Sequence, residues 1–226
     1  HRLRGLLGGP SAGSAGLVGE PSLLDPRTEE RTPIEALIPG TRPLEWSPDH
    51  GSLLFAAVRF DQLQISQLKL ATGEIRTFTH GREDHPSGTL APDGRLVFVT
   101  NVLVPGGKGK TESKLSITNS SGGDAKPLTP GPGDQSPCFS PDGSSLVYET
   151  RAADGQPAIA LLNPVEGTPK ILARGRDPVF SPDGHWIVYS QRLAAGQRLW
   201  KMRPDGSGRL ALGEAPPDIG EARHLA

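Results

Sequence analysis

The sequence predicts an all-β protein built from repeated four-stranded antiparallel blades, and three observations carry that prediction. Composition comes first: 29 Gly and 23 Pro stand among 226 residues, and helix interiors tolerate these two residues least. Next is a recurring turn motif whose Asp falls at positions 49, 93, 142 and 183, with spacings of 44, 49 and 41. Self-similarity at such a period marks a repeat architecture. Last, a short apolar run follows every copy: Leu53-Leu54-Phe55, Leu96 to Val99, Leu146-Val147-Tyr148 and Ile187-Val188-Tyr189. That regularity separates the chain from a disordered one of similar composition.

The motif reads as a turn. Its copies are Ser47-Pro48-Asp49, Ala91-Pro92-Asp93-Gly94, Ser140-Pro141-Asp142-Gly143 and Ser181-Pro182-Asp183-Gly184. Pro presets φ for the second turn position, Asp bonds back to nearby backbone N–H groups, and Gly supplies the left-handed conformation that reverses the chain. Each copy is predicted to join the first and second strands of a unit. In the first copy His50 precedes Gly51, which predicts a loop one residue longer. A second hairpin follows in each unit, turning at Ala71 to Glu74, Asn119 to Gly123, Asn163 to Gly167 and Pro204 to Ser207. Four strands per ~44 residues is the content of one β-propeller blade.

These residues carry a resemblance. Phe180 to Gly184 with Ile187-Val188-Tyr189, then Leu199 to Met202 and Asp205-Gly206-Ser207, resemble the WD40-like PD40 repeat of the TolB propeller family. The resemblance covers roughly residues 21 to 213. It implies a propeller, and an exported bacterial envelope protein, periplasmic or extracellular, that binds other proteins through its channel mouth or a face. Because unrelated proteins share this scaffold, it names no partner. Nothing here corresponds to the separate N-terminal domain of TolB.

The predicted layout is a flexible tail over 1–20, rich in Gly and Ser, and a half-blade over 21–40. Four full blades follow at 41–82, 83–131, 132–174 and 175–213, then a connector over 214–226. Two readings of the ends stay open: a fragment of a larger propeller, or a five-bladed ring closed through the half-blade, for which few residues remain. If these residues were the complete protein, open sheet edges would predict marginal stability or dimerisation. The chain begins at His1, so the lack of a leader is no evidence of a cytosolic home.

Charge and chemistry exclude more than they identify. With 24 Lys+Arg against 25 Asp+Glu and a pI near 6.7, no basic stripe offers itself to nucleic acid. No apolar stretch reaches the ~18 residues of a membrane span, so no direct insertion is expected. The single Cys138 allows no intrachain disulfide and reads as a small core residue. No Gly-x-Ser-x-Gly elbow is present, and Ala91 replaces the repeated serine without loss of the motif. No catalytic residue, cofactor or metal is expected. The six histidines lack ligand spacing, and Asp49, Asp93, Asp142 and Asp183 fall on separate blades, too far apart to share an ion.

Two sets of binding candidates remain. Glu83-Asp84-His85-Pro86, Asp134-Gln135-Ser136-Pro137 and Arg176-Asp177-Pro178 each place an acid shortly before a first strand, the strand that lines a propeller channel. Asp84, His85, Asp134 and Asp177 are therefore the candidates at one channel mouth, with Arg42 interrupting the series in the first full blade. The plainer role is that each Asp caps its own connector, with His80 and His85 exposed in theirs. Val104 to Thr111 ends like a phosphate loop but lacks its first Gly and a following helix. It reads as a long hairpin loop with Lys108 and Lys110 as contact candidates. Asn119-Ser120-Ser121 fits a glycosylation sequon, to which the bacterial resemblance gives no role. Trp46, Phe55, Phe98, Phe139, Tyr148, Phe180 and Tyr189 recur in register as inter-blade packing residues.

A protein partner is thus the expectation. Two alternatives come from other classes: the gating propeller of a prolyl-oligopeptidase-type serine peptidase whose hydrolase domain lies elsewhere, and the sensor propeller of a regulator.

Overall fold

The turn motifs close hairpins, and the hairpins set the architecture. In the computed structural model, which describes residues 5–7, 22–25, 27–34, 37, 40–47, 49–104, 106, 110–119, 121, 123–165, 167–193 and 196–214, all paired strands are antiparallel. Among the described residues there is no helix. The chain divides into two compact units, residues 1–86 and 87–226.

The first unit holds a three-stranded sheet, β1 (Gly5–Leu7), β2 (Ser22–Leu24) and β3 (Arg31–Pro33). It also holds a four-stranded sheet, β4 (Arg42–Trp46), β5 (Ser52–Arg59), β6 (Gln62–Lys69) and β7 (Ile75–Thr77). The second unit holds three sheets. One is β8 (Gly88–Leu90), β9 (Leu96–Leu103), β10 (Thr111–Ile117) and β11 (Lys126–Pro127). The next is β12 (Gln135–Phe139), β13 (Leu146–Arg151), β14 (Pro157–Leu162) and β15 (Lys170–Arg174). The last is β16 (Arg176–Phe180), β17 (Ile187–Leu193), β18 (Gly196–Met202) and β19 (Leu210–Glu214). Strands follow chain order across every sheet, and the four-stranded sheets are the blades of a β-propeller.

Period-two alternation packs the blades. In the second unit Phe139, Leu146 and Tyr148 meet Val97, Val99 and Ile117 of the preceding sheet. One blade on, Phe180, Ile187 and Tyr189 meet Val147 and Ile159. Ile187 is fully buried, and burial of such a side chain stabilises by about 1.5–3 kcal/mol. In the first unit Phe55 and Leu53 pack with Leu23, Ile34 and Leu37, and Trp46 lies half-buried against them. The innermost strands β8, β12 and β16 are neighbours, joined at matching positions. Thr89 Oγ1 accepts from Phe139 N at 3.2 Å, and Cys138 Sγ from Phe180 N at 3.4 Å. Cys138 is thus a structural acceptor.

Two sequence expectations change. The segment before Ser22 contributes a strand, because Gly5, Leu6 and Leu7 pair with Leu24, Leu23 and Ser22. The first turn is not lengthened either. Trp46↔Leu53, Phe139↔Leu146 and Phe180↔Ile187 each enclose six residues, whereas Leu90↔Leu96 encloses five. His50 takes the glycine's place at φ +56°, beside +89°, +71° and +71° at Gly94, Gly143 and Gly184. The second copy, lacking the Ser, is the short one.

Candidate functional site

A four-stranded blade has two ends. One carries the turn motifs and the third-to-fourth strand hairpins, and the other carries the second-to-third strand hairpins and the blade connectors.

At the turn end, the motif side chains satisfy one another. Ser47, Ser140 and Ser181 Oγ donate to Asp49, Asp142 and Asp183 Oδ1 at 2.5, 2.6 and 2.5 Å. The same hydroxyls accept from Ser52, Ser145 and Trp186 N at 2.9, 2.9 and 3.0 Å. Each Asp also accepts a backbone N–H two residues on, from Gly51, Ser144 and His185. The Ser hydroxyl is the main cause, the backbone N–H the next, that holds all three carboxyls below the usual range. In the Ala91 copy Arg95 N makes the same backbone bond to Asp93 at 3.1 Å, and Arg95 Nε, donating to Asp93 Oδ2 at 2.7 Å, takes the place of the Ser hydroxyl as the side-chain donor. Hydroxyls bonded in this way to an acid and an amide, with no imidazole, are turn locks rather than nucleophiles.

The connector end is different. In the first unit Asp84 Oδ1 accepts from Leu63 N at 2.9 Å, and His85 N donates to Leu63 O. His85 is buried and His80 exposed, so the expectation that both are exposed fails for His85, which the β6 edge holds down. In the second unit Asp134 is buried. Its carboxylate accepts from Thr150 Oγ1 at 2.5 Å and Gly131 N at 3.0 Å, tying the connector to β13. Burial first, then this carboxylate, raises the Tyr148 phenol well above its ordinary range.

Asp177 belongs to a second group. Ser136 and Asp177 both precede Pro, both have φ +50°, and each sits in the bulge of its innermost strand. The bulge aims Ser136 Oγ at Asp177 Oδ1, 3.1 Å away. Glu149, 4% exposed, lies beneath. Its Oε1 accepts from Gln135 Nε2 at 2.9 Å and Arg176 Nη1 at 3.2 Å, and its Oε2 from Asp177 N at 3.4 Å. Burial is the main cause that raises its carboxyl, with the Gln135 hydrogen bond and the Arg176 charge opposing. The expected acids therefore do not hold equivalent positions. Asp134 lies six residues before the motif Ser140 and Asp177 four before Ser181, so they form two linked clusters rather than one register of a ring. Among the described residues, no group of three His, Cys, Asp or Glu side chains is placed to hold a metal ion.

An open groove of ≈ 680 Å³ adjoins these clusters, lined by Val104, Lys110, Glu112, Pro132, Gln135 and Arg151 among others. Gln135 belongs to both the groove and the Glu149 network. The loop resembling a phosphate site is a hairpin, because Val104 N donates to Lys110 O and Thr111 starts β10. Lys110 lines the groove, while Lys108 and Pro48 lie outside the described residues. Asn119 is engaged in its own turn, accepting from Ser121 and Gly123 N and donating to Asp124. Sequence reading missed Gln135, Glu149, Arg151 and Arg176. The available signal was Glu149, a charge directly after the apolar run of a predicted second strand.

No protein-family model matches the chain, and no curated protein matches it. Solved structures do. TolB from Acinetobacter baumannii is 25% identical with a TM-score of 0.66 over 84% of this chain and 47% of that one. A TolB-type protein of Agrobacterium tumefaciens is 23% identical with a TM-score of 0.67 over 84% and 67%. The chain thus spans about half of the first and two thirds of the second. An oligogalacturonate lyase in complex with manganese is 18% identical with a TM-score of 0.65 over 87% and 59%, a likeness of fold alone.

Proposed function

We propose that this chain is a non-catalytic, PD40-type propeller module of a bacterial cell envelope that binds another protein through its connector end. The observation that carries the reading is the contrast between the two ends. The turn end repeats one self-satisfied motif, whereas the connector end of the second unit carries a groove and buried polar clusters that differ from blade to blade. Repeated turns serve the scaffold, and variable loops on a rigid scaffold carry recognition. The likeness to TolB structures supports an exported, periplasmic location. Periplasmic fractionation of the tagged full-length product tests it, and retention in the cytosol would refute it.

A photoreactive side chain at Arg192, on the connector end, tests the binding reading against one at Lys126, on the opposite end. Crosslinking in intact envelopes is expected to give a discrete protein adduct from Arg192 and none from Lys126. Equal adducts from both, or none from Arg192, would sink the reading.

A second reading takes the chain as the propeller of a serine peptidase. Its support is the likeness to prolyl endopeptidase structures, TM-score 0.55 at 14% identity. A hydrolase domain with a Gly-x-Ser-x-Gly elbow in the same reading frame would decide for it.

A further inference from the structure

We infer that the groove between β10 and the start of β12 takes an extended acidic peptide, with its carboxylates against Lys110 and Arg151. The inference rests on the protein-binding reading and names the chemistry of the partner.

It follows from how charge is sorted in the second unit. At the turn end the exposed acids Asp93, Asp124, Asp142, Asp183 and Asp205 are mixed with the exposed cations Lys126, Lys170, Arg203 and Arg209. At the connector end Asp134, Glu149 and Asp177 are buried and bonded to Thr150, Gln135, Arg176 and Ser136. The exposed charges there are mostly cations: Lys110, Arg151, Arg176 and Arg192. Glu112 is the exposed acid on the groove wall, and Asp154 is held by both Arg174 Nη atoms at 2.8 and 2.7 Å. A net charge of −1 for the whole chain conceals this local excess of exposed cations.

Arg151 is also preset. A Cβ on Gly133 would lie 2.7 Å from Arg151 Nε, so the glycine makes room for the guanidinium stem along the groove, and Gly155 O accepts from Nη1 at 3.0 Å. A donor fork held in place loses little freedom when a carboxylate arrives. Val104 and Pro132 line the same groove, and Leu103 beside it is 68% exposed. Cations interleaved with apolar spots match a strand-like peptide that alternates acidic and apolar side chains, because an extended chain repeats every two residues.

The test is fluorescence anisotropy of the full chain with three labelled peptides: alternating Glu and Leu or Thr, and matched peptides with Gln or Lys for Glu. The Glu peptide is expected to bind about tenfold tighter than the Gln peptide, as for one added charged contact. Its affinity is expected to fall as salt rises from about 50 to about 300 mM. Arg151→Gln and Lys110→Gln, both at exposed side chains, are expected to remove that preference, and Lys126→Gln on the other end to leave it. Equal binding of Glu and Gln peptides, or a preference that survives both groove substitutions, would overturn the inference. Tighter binding of the Lys peptide overturns it while leaving the protein-binding reading intact, as does a crosslinked partner with no affinity for any peptide. Binding to phosphatidylglycerol vesicles or oligo-dT instead of the Glu peptide also overturns it.

Discussion

His50→Gly is expected to stabilise the protein. His50 sits at φ +56° in the motif position that glycine occupies in the other three copies, and its N donates to Ser47 O at 2.8 Å as Gly143 and Gly184 donate to Ser140 and Ser181 O. The backbone must therefore be left-handed whichever residue is present. For an L-residue that conformation costs about 1–2 kcal/mol, and His is among the side chains that tolerate it better. Glycine removes the strain but gives up about 0.5–1 kcal/mol of unfolded-state entropy. The net gain is therefore about 0.5–1 kcal/mol. In a chain of this length that is a rise of roughly 1–4 °C in Tm, read by calorimetry and by urea midpoint. The reciprocal Gly184→Ala, with φ +71° and Pro141 Cδ 3.4 Å from the new Cβ, is expected to destabilise by about 1 kcal/mol or more. If His50→Gly lowers Tm, or both substitutions leave it unchanged, the reasoning from backbone conformation is wrong.

Other outcomes follow from the same geometry. Ser140→Ala removes the hydroxyl that donates to Asp142 and accepts from Ser145 N. It is expected to cost about 1–2 kcal/mol by urea denaturation, because, unlike the Ala91 copy, this turn has no compensating arginine and one more residue. Gly175→Ala places a Cβ 2.6 Å from Tyr189 Cδ2 and 2.8 Å from Ser190 O at φ +154°. Backbone cannot yield as a side chain does, so a loss above about 3 kcal/mol or a failure to fold is expected, and a near-native Tm would contradict it. Titration should show two opposite slopes. Asp49 and Asp142 have lowered folded values, so their stabilisation is present above the unfolded value near 3.8 and is lost as pH falls through the folded values. Glu149 has a raised folded value, so its contribution is fullest below the unfolded value near 4.5 and fades as pH rises through the folded one. Urea midpoints across this range should lose the second slope in Glu149→Gln and keep the first.

The blades were legible because each turn writes its requirement locally. Pro presets a dihedral, Asp caps an amide two residues away and Gly turns left-handed, so four copies announce four hairpins before any packing is considered. Aromatic residues in register, such as Phe139, Tyr148, Phe180 and Tyr189, likewise announce a buried inter-blade face. The site was less legible. Asp134 and Asp177 look alike as acids before a first strand, yet two residues of register place one on Thr150 and the other on Ser136. His85 reads as a loop residue and is buried, because its backbone N–H is claimed by a strand some twenty residues earlier. Glu149 belongs to the same group although its partners Gln135 and Arg176 lie 14 and 27 residues away.

Local chemistry in the chain was therefore enough for the all-β class, the repeat, the hairpins and the residues between blades, since turn geometry and short apolar runs act over a few residues. Which acids are buried, which cations face solvent and how Gln135 joins a groove to a carboxylate depend on contacts across sheets. Such contacts exist only once the blades stack, because desolvation and hydrogen bonding are set by neighbours in space and not along the chain.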